Sequence, residues 1–318
     1  MEKKVLGNTE IQVTSVGMGV LTVGKNQLNL PIKEGAEILR YALERGINFI
    51  DTAQYYETYP YIKEALKGLE QKPVVCSKSL DVSYGQMEYA IKEALREMEL
   101  ETIDIFLLHE VRQDPDWEYR SGAWRCLVEA KKAGLVKAIG VSTHHVDVAE
   151  KMAQVEEADV LFPLINFQSL GIRKGDGPGT KEEMAAAIKA NADAGKGVFA
   201  MKVFGGGNLT GSYRKALDYV ASLEGVSSMM VGIGSKEEAD RLIQYAEGTL
   251  DSAYKPDLTN KKIRIDQGDC EGCGACKERC PNNAIYWNEN GLAQVDPSIC
   301  LTCGYCAPVC PVRAIIMF

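Results

Sequence analysis

Eight of the ten cysteines fall between Cys270 and Cys310, in two runs of one spacing. The runs are Cys270-x2-Cys273-x2-Cys276-x3-Cys280-Pro281 and Cys300-x2-Cys303-x2-Cys306-x3-Cys310-Pro311, a tandem duplication. Three thiolates two residues apart let one tight loop wrap three irons of a cubane. Gly272, Gly274 and Gly304 relieve crowding and leave amides free to face sulfide. The fourth thiolate must come from elsewhere. Structural zinc and a disulfide net are the competing readings. Zinc sites pair one Cys-x2-Cys with a second or with His, and disulfide frameworks suit short secreted chains. Cys76, inside an apolar run, and Cys126, on a helix face, are expected to be buried packing residues.

A second set of reactive side chains stands at the ends of apolar runs. Ile50-Asp51-Thr52-Ala53, Cys76-Ser77-Lys78 and Leu107-Leu108-His109 end successive runs on an acid, an amine and an imidazole. Tyr55 and Tyr56 follow Asp51, and His109 is one of three histidines. His144 and His145 stand at a helix start and read as surface or capping residues.

Those positions require a frame. Ser15–Val20, Ile47–Asp51, Pro73–Lys78, Ile103–His109, Lys137–Ser142, Val160–Asn166, Gly197–Val203 and Ser228–Ile233 are apolar with little alternation, as strands buried on both faces are. Helical stripes lie between them: Ile38, Leu39, Ala42 and Leu43 in one, Ala90, Ile91, Ala94, Leu95 and Met98 in another. Ser83-x-x-Gln86, Thr180-x-x-Glu183 and Ser235-x-x-Glu238 read as capping boxes, and Gly46, Gly134 and Gly195 as helix stops. Eight alternating units over ~250 residues predict an α/β fold, a (β/α)8 TIM barrel, with a doubly wound sheet as the alternative. Barrel chemistry gathers at the C-terminal ends of the strands, where the acid, amine and imidazole fall. We expect a barrel over residues 1–255, a linker over 256–261 and a small domain over 262–318, whose cysteine runs resemble those of the bacterial ferredoxins and so imply an α+β ferredoxin-like iron–sulfur fold.

Composition narrows the classes. Lys and Arg total 36 against 44 Asp and Glu, a net charge of -8. No run of cations is present, which disfavours nucleic-acid binding. No stretch approaches the ~18–20 apolar residues of a membrane span. The opening MEKKVLGNTE lacks an apolar signal core, so a cytoplasmic location is expected.

The cysteine segment resembles the bacterial two-cluster 4Fe–4S ferredoxins, in which the fourth cysteine of each run ligates the other cluster. The resemblance implies one cluster on Cys270, Cys273, Cys276 and Cys310, and a second on Cys300, Cys303, Cys306 and Cys280. Residues 1–250 resemble the aldo-keto reductases. The resemblance rests on LGNTEIQVTSVGMGV (6–20), Asp51-Thr52-Ala53-Gln54-Tyr55-Tyr56, Ser77-Lys78 and Leu107–His109. It implies a catalytic tetrad of Asp51, Tyr56, Lys78 and His109, and its spacing selects Tyr56 over Tyr55. In carbonyl reduction a phenol with a pKa of about 10 must give up a proton. Lys78, held by Asp51, is expected to lower that pKa, and His109 to orient the substrate oxygen or help pass the proton.

The family's nucleotide contacts map onto Ser142, Thr143, Asn166, Lys202, Gly205, Ser235 and Lys236, with Arg241 as a further partner for a 2′-phosphate. Thr143, Phe162 and Met201 replace the family's Asn, Gln and stacking aromatic. The expected activity is an iron–sulfur aldo-keto reductase interconverting a small carbonyl and its alcohol with NADP(H). Its two clusters would exchange single electrons with a redox-protein partner. A flavin- or cluster-driven reductase without nicotinamide, and an electron-transfer protein with a non-catalytic barrel, are the alternatives. Trp117, Tyr119 and Arg120 of the loop 111–122 are expected at a substrate mouth. The loop 171–179 reads as mobile, folding over the pocket or against the cysteine segment.

Overall fold

Eight parallel strands close into a barrel. They are β1 (Val16–Gly19), β2 (Phe49–Asp51), β3 (Val74–Ser79), β4 (Ile103–Leu108), β5 (Val136–Thr143), β6 (Val160–Pro163), β7 (Gly197–Ala200) and β8 (Val226–Gly232). The computed structural model describes residues 1–25, 27–257, 262–280, 283–300 and 304–317, so residues 258–261 of the expected linker and Cys303 lie outside the described residues. Closure runs through β8 and β1, with Met229 opposite Val16 and Gly232 opposite Gly19.

Each expected apolar run supplies one strand. Val160–Asn166 and Gly197–Val203 are longer than their strands, because Leu164, Ile165 and Val203 are buried beyond the end of the ladder. Phe49, Cys76, Leu107, Phe162 and Phe199 fill the interior, with the last two rings stacked at 4.3 Å. Burying each such side chain contributes about 1.5–3 kcal/mol. A hairpin of Lys3–Val5 and Gln12–Thr14 plugs the lower end with Leu6, Ile11 and Val13. Gly7 turns there at φ +57°, where an added Cβ would lie 2.2 Å from the Gly197 amide.

Helices ring the barrel. Ile32–Glu44 buries Ile38, Leu39 and Ala42, and Tyr84–Met98 buries Ala90, Ile91, Ala94 and Met98. Ser83 and Thr180 form both halves of their capping boxes. Ser235 departs: its hydroxyl accepts from the Glu238 amide, but the Glu238 carboxylate takes the Gly234 amide instead of the Ser235 amide. Cys126 is buried on the helix Ser121–Lys132.

The cysteine segment is built from two short antiparallel ladders, Ile263–Ile265 with Ile315–Met317 and Ile285–Trp287 with Ala293–Val295, and one turn-and-a-half helix, Ala275–Arg279. Their inner faces enclose a small core of Ile265, Ile285, Ile315, Ala307, Cys276 and Cys306, with Cys270, Cys280 and Cys310 against it. The segment sits on the upper rim of the barrel. The Met317 amide donates to the Gly206 carbonyl at 2.8 Å, Asn208 Nδ2 to the Ile315 carbonyl at 3.3 Å, and Arg173 Nη1 to the Pro311 carbonyl at 2.9 Å. Loop 171–179, read as mobile, instead holds a short ladder of Arg173–Lys174 with Gly177–Pro178 and rests on the cysteine segment.

Candidate active site

Asp51 ends β2, Lys78 lies near the end of β3, and His109 follows β4, so three neighbouring strands deliver their side chains to one mouth. Tyr56 reaches the same place on the single turn Gln54–Tyr56. Lys78 Nζ donates to Asp51 Oδ1 at 2.6 Å and to the Thr52 carbonyl at 2.7 Å, and both charged side chains are buried. Tyr56 Oη lies 3.3 Å from His109 Nε2, with the rings edge to face. Lys78 Nζ stands 4.9 Å from the Tyr56 ring centroid.

The electrostatics correct one expectation. Tyr56 is not lowered: burial, then the charges of Asp51, Asp269, Glu110 and Asp266, hold its pKa well above the usual phenol value. The physical reason is that the Lys78 ammonium is already engaged by Asp51 and Thr52, while carboxylates surround the phenol. Burial raises the Asp51 carboxyl, and the Lys78 charge offsets part of that rise. Burial, with Lys78 and Arg120 nearby, drives His109 well below the usual imidazole value, so its ring is neutral at pH 7. Its Nδ1 is buried with no hydrogen-bond partner.

Asp51 and Tyr56 form part of the wall of a cavity of about 410 Å³, within the usual ligand range. The wall continues through Phe162, Met201 and Lys202, then Gly232, Ser235 and Arg241. Its far side is Ile316 and Met317 of the cysteine segment. Gly207 makes that approach possible: a Cβ there would fall 1.8 Å from the Met317 carbonyl oxygen.

Of the sequence-derived nucleotide contacts, Lys202 and Ser235 face the cavity. Ser142, Thr143 and Asn166 are buried outside its wall and hold loops. Ser142 Oγ accepts from the Glu110 amide, Thr143 Oγ1 donates to the Val111 carbonyl, and Asn166 Nδ2 donates to the Leu170 carbonyl. Gly205 lies against Arg313, and Lys236 stands 5.6 Å over the Tyr41 ring. Arg241 lines the cavity, and its Nε is buried without a partner.

Three further expectations are revised. Arg120 is buried and clamps the carbonyls of His109 at 2.8 Å, Ser79 at 2.9 Å and Asp81 at 3.2 Å, so it braces the floor of the site instead of meeting substrate. Tyr119 points to solvent at 73% exposure, and Trp117 packs on Trp124 at 4.9 Å. His145 is buried and makes no side-chain cap, and His144 is half-buried beside Lys202, so neither is a surface residue. Glu110 was not singled out from the sequence. It follows His109 at φ +53°, and burial together with Asp269 pushes its carboxyl up to about 7. No local pattern marks it, because Asp269 comes from the distant cysteine segment.

Residues 15–220 match the Aldo/keto reductase family. The chain belongs to that family. Residues 254–314 match the 4Fe-4S dicluster domain, so the reductase is an oxidoreductase fused to an iron–sulfur module. Methylglyoxal reductase DkgA of Escherichia coli strain K12 is 24% identical over 264 residues, covering 80% of this chain and 90% of that protein. The Yersinia pestis protein of the same name is 25% identical over 199 residues, or 59% of this chain and 66% of that one. Among solved structures, aldo-keto reductase AKR11C1 from Bacillus halodurans in its holo form superposes with a TM-score of 0.64 at 19% identity, covering 80% of this chain and 93% of that one. That likeness is one of fold. No helix among the described residues of the reductase is long and apolar enough to cross a membrane.

The module's cysteines fit a cluster. Cys270, Cys273, Cys276, Cys280 and Cys310 are free thiols. Burial raises the Cys276 thiol to about 11, and Cys310, Cys270 and Cys273 act on it in that order. Those four are the set the ferredoxin resemblance implies for one cluster. Cysteine sulfurs that act on one another in this way are a soft donor set that suits iron once they are deprotonated. Gly272 and Gly274 turn at φ +67° and +85° within the loop that carries the first three. Among the described residues no three His, Cys, Asp or Glu side chains converge on a single-ion site. The flavin alternative gains no support from these matches.

Proposed function

We propose that this reductase interconverts a small carbonyl compound and its alcohol with NADP(H), using Tyr56 as the acid and base. The observation that carries the reading is the convergence of two short contacts, Lys78–Asp51 at 2.6 Å and Tyr56–His109 at 3.3 Å, beside one cavity. Lys202, Ser235 and Arg241 would hold the nucleotide. The orphaned Arg241 Nε fits a phosphate oxygen, and Ser235 begins the helix Lys236–Ala246. Bound NADPH would supply the hydride. Neutral His109 steers the carbonyl oxygen toward Tyr56. The protonated phenol is loaded as a donor at pH 7 and gives its proton to the oxygen as the alkoxide forms. The Lys78 ammonium stands 4.9 Å from the ring centroid of the phenolate left behind, and the alcohol-oxidising direction is the reverse of the same proton step.

We further infer two units, residues 1–255 and 262–318, and the interleaved cysteine pairing with two 4Fe–4S clusters. When bound, the clusters would supply single-electron transfer to or from a redox-protein partner in the cytoplasm. The names of the relatives point to small 2-oxoaldehydes as first substrates to assay. The test is anaerobic, with cluster-loaded protein, NADPH and methylglyoxal, following NADPH absorbance. Tyr56→Phe should lower turnover ~10²–10⁴-fold while leaving NADPH affinity unchanged. Unchanged turnover in that variant would refute the role of Tyr56.

One observation favours a second reading, cluster-driven reduction without nicotinamide. Ser142, Thr143 and Asn166 are spent on loops, and Phe162 and Met201 line the wall where the resemblance would put a Gln and a stacking aromatic. It requires that the protein bind no NADPH, which calorimetry decides.

A further inference from the structure

Arg313 lies in the turn between Cys310 and the last strand, at φ +62° and 1% exposure. Only Nη1 has a partner, the Ala307 carbonyl at 3.2 Å, and Nε and Nη2 are buried without one. No carboxylate pairs with it among the described residues. The barrel supplies the slot that holds it. A Cβ added to Gly171 would lie 2.7–2.8 Å from Arg313 Cβ, Cγ and Cδ, and one added to Gly205 would lie 2.8 Å from Nη2. A cation buried with two unmet donors is costly unless an anion faces it. The groups that would carry negative charge beside Arg313 are the sulfurs of Cys310 and then Cys306. In the interleaved pairing these belong to different clusters, so the guanidinium stands at the seam between them.

We propose that Arg313 is the built-in countercharge of the cluster pair, its buried guanidinium raising the reduction potential of the cluster that Cys310 completes. One-electron reduction adds negative charge to the cluster, and a fixed buried cation with two donors stabilises the reduced form more than the oxidised one. The role is one of tuning, since nothing places Arg313 against a substrate. It rests on the interleaved ligand reading.

The test is an EPR-monitored redox titration of the full, cluster-loaded chain, comparing wild type, Arg313→Lys and Arg313→Met. In Arg313→Met one midpoint should fall by about tenfold in the oxidised-to-reduced ratio, ~59 mV for one electron, and the other should move less. Arg313→Lys, which keeps the charge, should fall between that variant and wild type. Two clusters with both midpoints unmoved in Arg313→Met would overturn the tuning role and leave the ligand reading standing. Iron and EPR analysis showing no 4Fe–4S cluster in wild type would overturn both. Should Arg313→Met fail to load, wild type carrying 15N-arginine decides: pulsed EPR of the reduced protein should show guanidinium 15N coupling, and its absence overturns the proposal.

Discussion

Replacing Lys78 with Met should unsettle the whole barrel as well as the chemistry. The Lys78 side chain is 1% exposed and that of Asp51 8%, and they meet at 2.6 Å. Removing one member of a buried ion pair strands the other, at a cost of about 3–5 kcal/mol. With a urea slope of about 2–3 kcal/mol/M, the midpoint should fall by about 1–2.5 M. Burial already raises Asp51 in the presence of Lys78. Without the ammonium the native carboxyl holds a proton that the unfolded chain releases above pH ~4. The native state then binds more protons than the unfolded state, so the deficit relative to wild type should shrink as pH falls. From pH 7 to pH 5 the recovery reaches up to about 2.7 kcal/mol. The double variant Lys78→Met/Asp51→Leu removes both charges and should regain most of the loss while remaining inactive. Anaerobic urea unfolding followed by far-UV circular dichroism measures all three. A Lys78→Met variant within 1 kcal/mol of wild type (about a factor of five) at pH 7, or a deficit that does not change with pH, would refute the reasoning.

Two other outcomes follow from the same structure. His145 is buried and its pKa is depressed to about 4, so between pH 6.5 and 4 the unfolded chain takes up a proton that the native one refuses. Stability should fall by about 2 kcal/mol between pH 6.5 and 5 from this group, and His145→Gln should flatten the slope of urea midpoint against pH by about one proton. Gly207→Ala places a Cβ against the Met317 carbonyl, at φ +86°. It should pry the last strand off the rim, raise the KM for small carbonyls several-fold and leave the iron content intact, read by steady-state kinetics and iron analysis.

Much of this architecture was legible in the sequence because its cause is local. Strands buried on both faces must be apolar throughout, so all eight runs stood out, and Ser83 and Thr180 announced helix starts by chemistry confined to four residues. Asp51, Lys78 and His109 were legible because a barrel gathers successive strand ends. The side chains that were misjudged depend on partners remote in the chain. Arg120 looked like a substrate contact until the carbonyls of Ser79, Asp81 and His109 claimed it. Tyr56 was expected to be a softened acid, because nothing in the sequence shows that Asp266 and Asp269 fold back beside it. Strand ends were overrun at Leu164 and Val203, where burial continues after the ladder has stopped.

Ile316 and Met317 belong to the cysteine segment yet wall the cavity. Oxygen damage to the iron–sulfur module would therefore loosen a panel of the cavity. Preparations handled in air and under nitrogen should differ in which small molecules the cavity admits. A barrel trimmed of its iron-binding tail would be a different enzyme with an open flank.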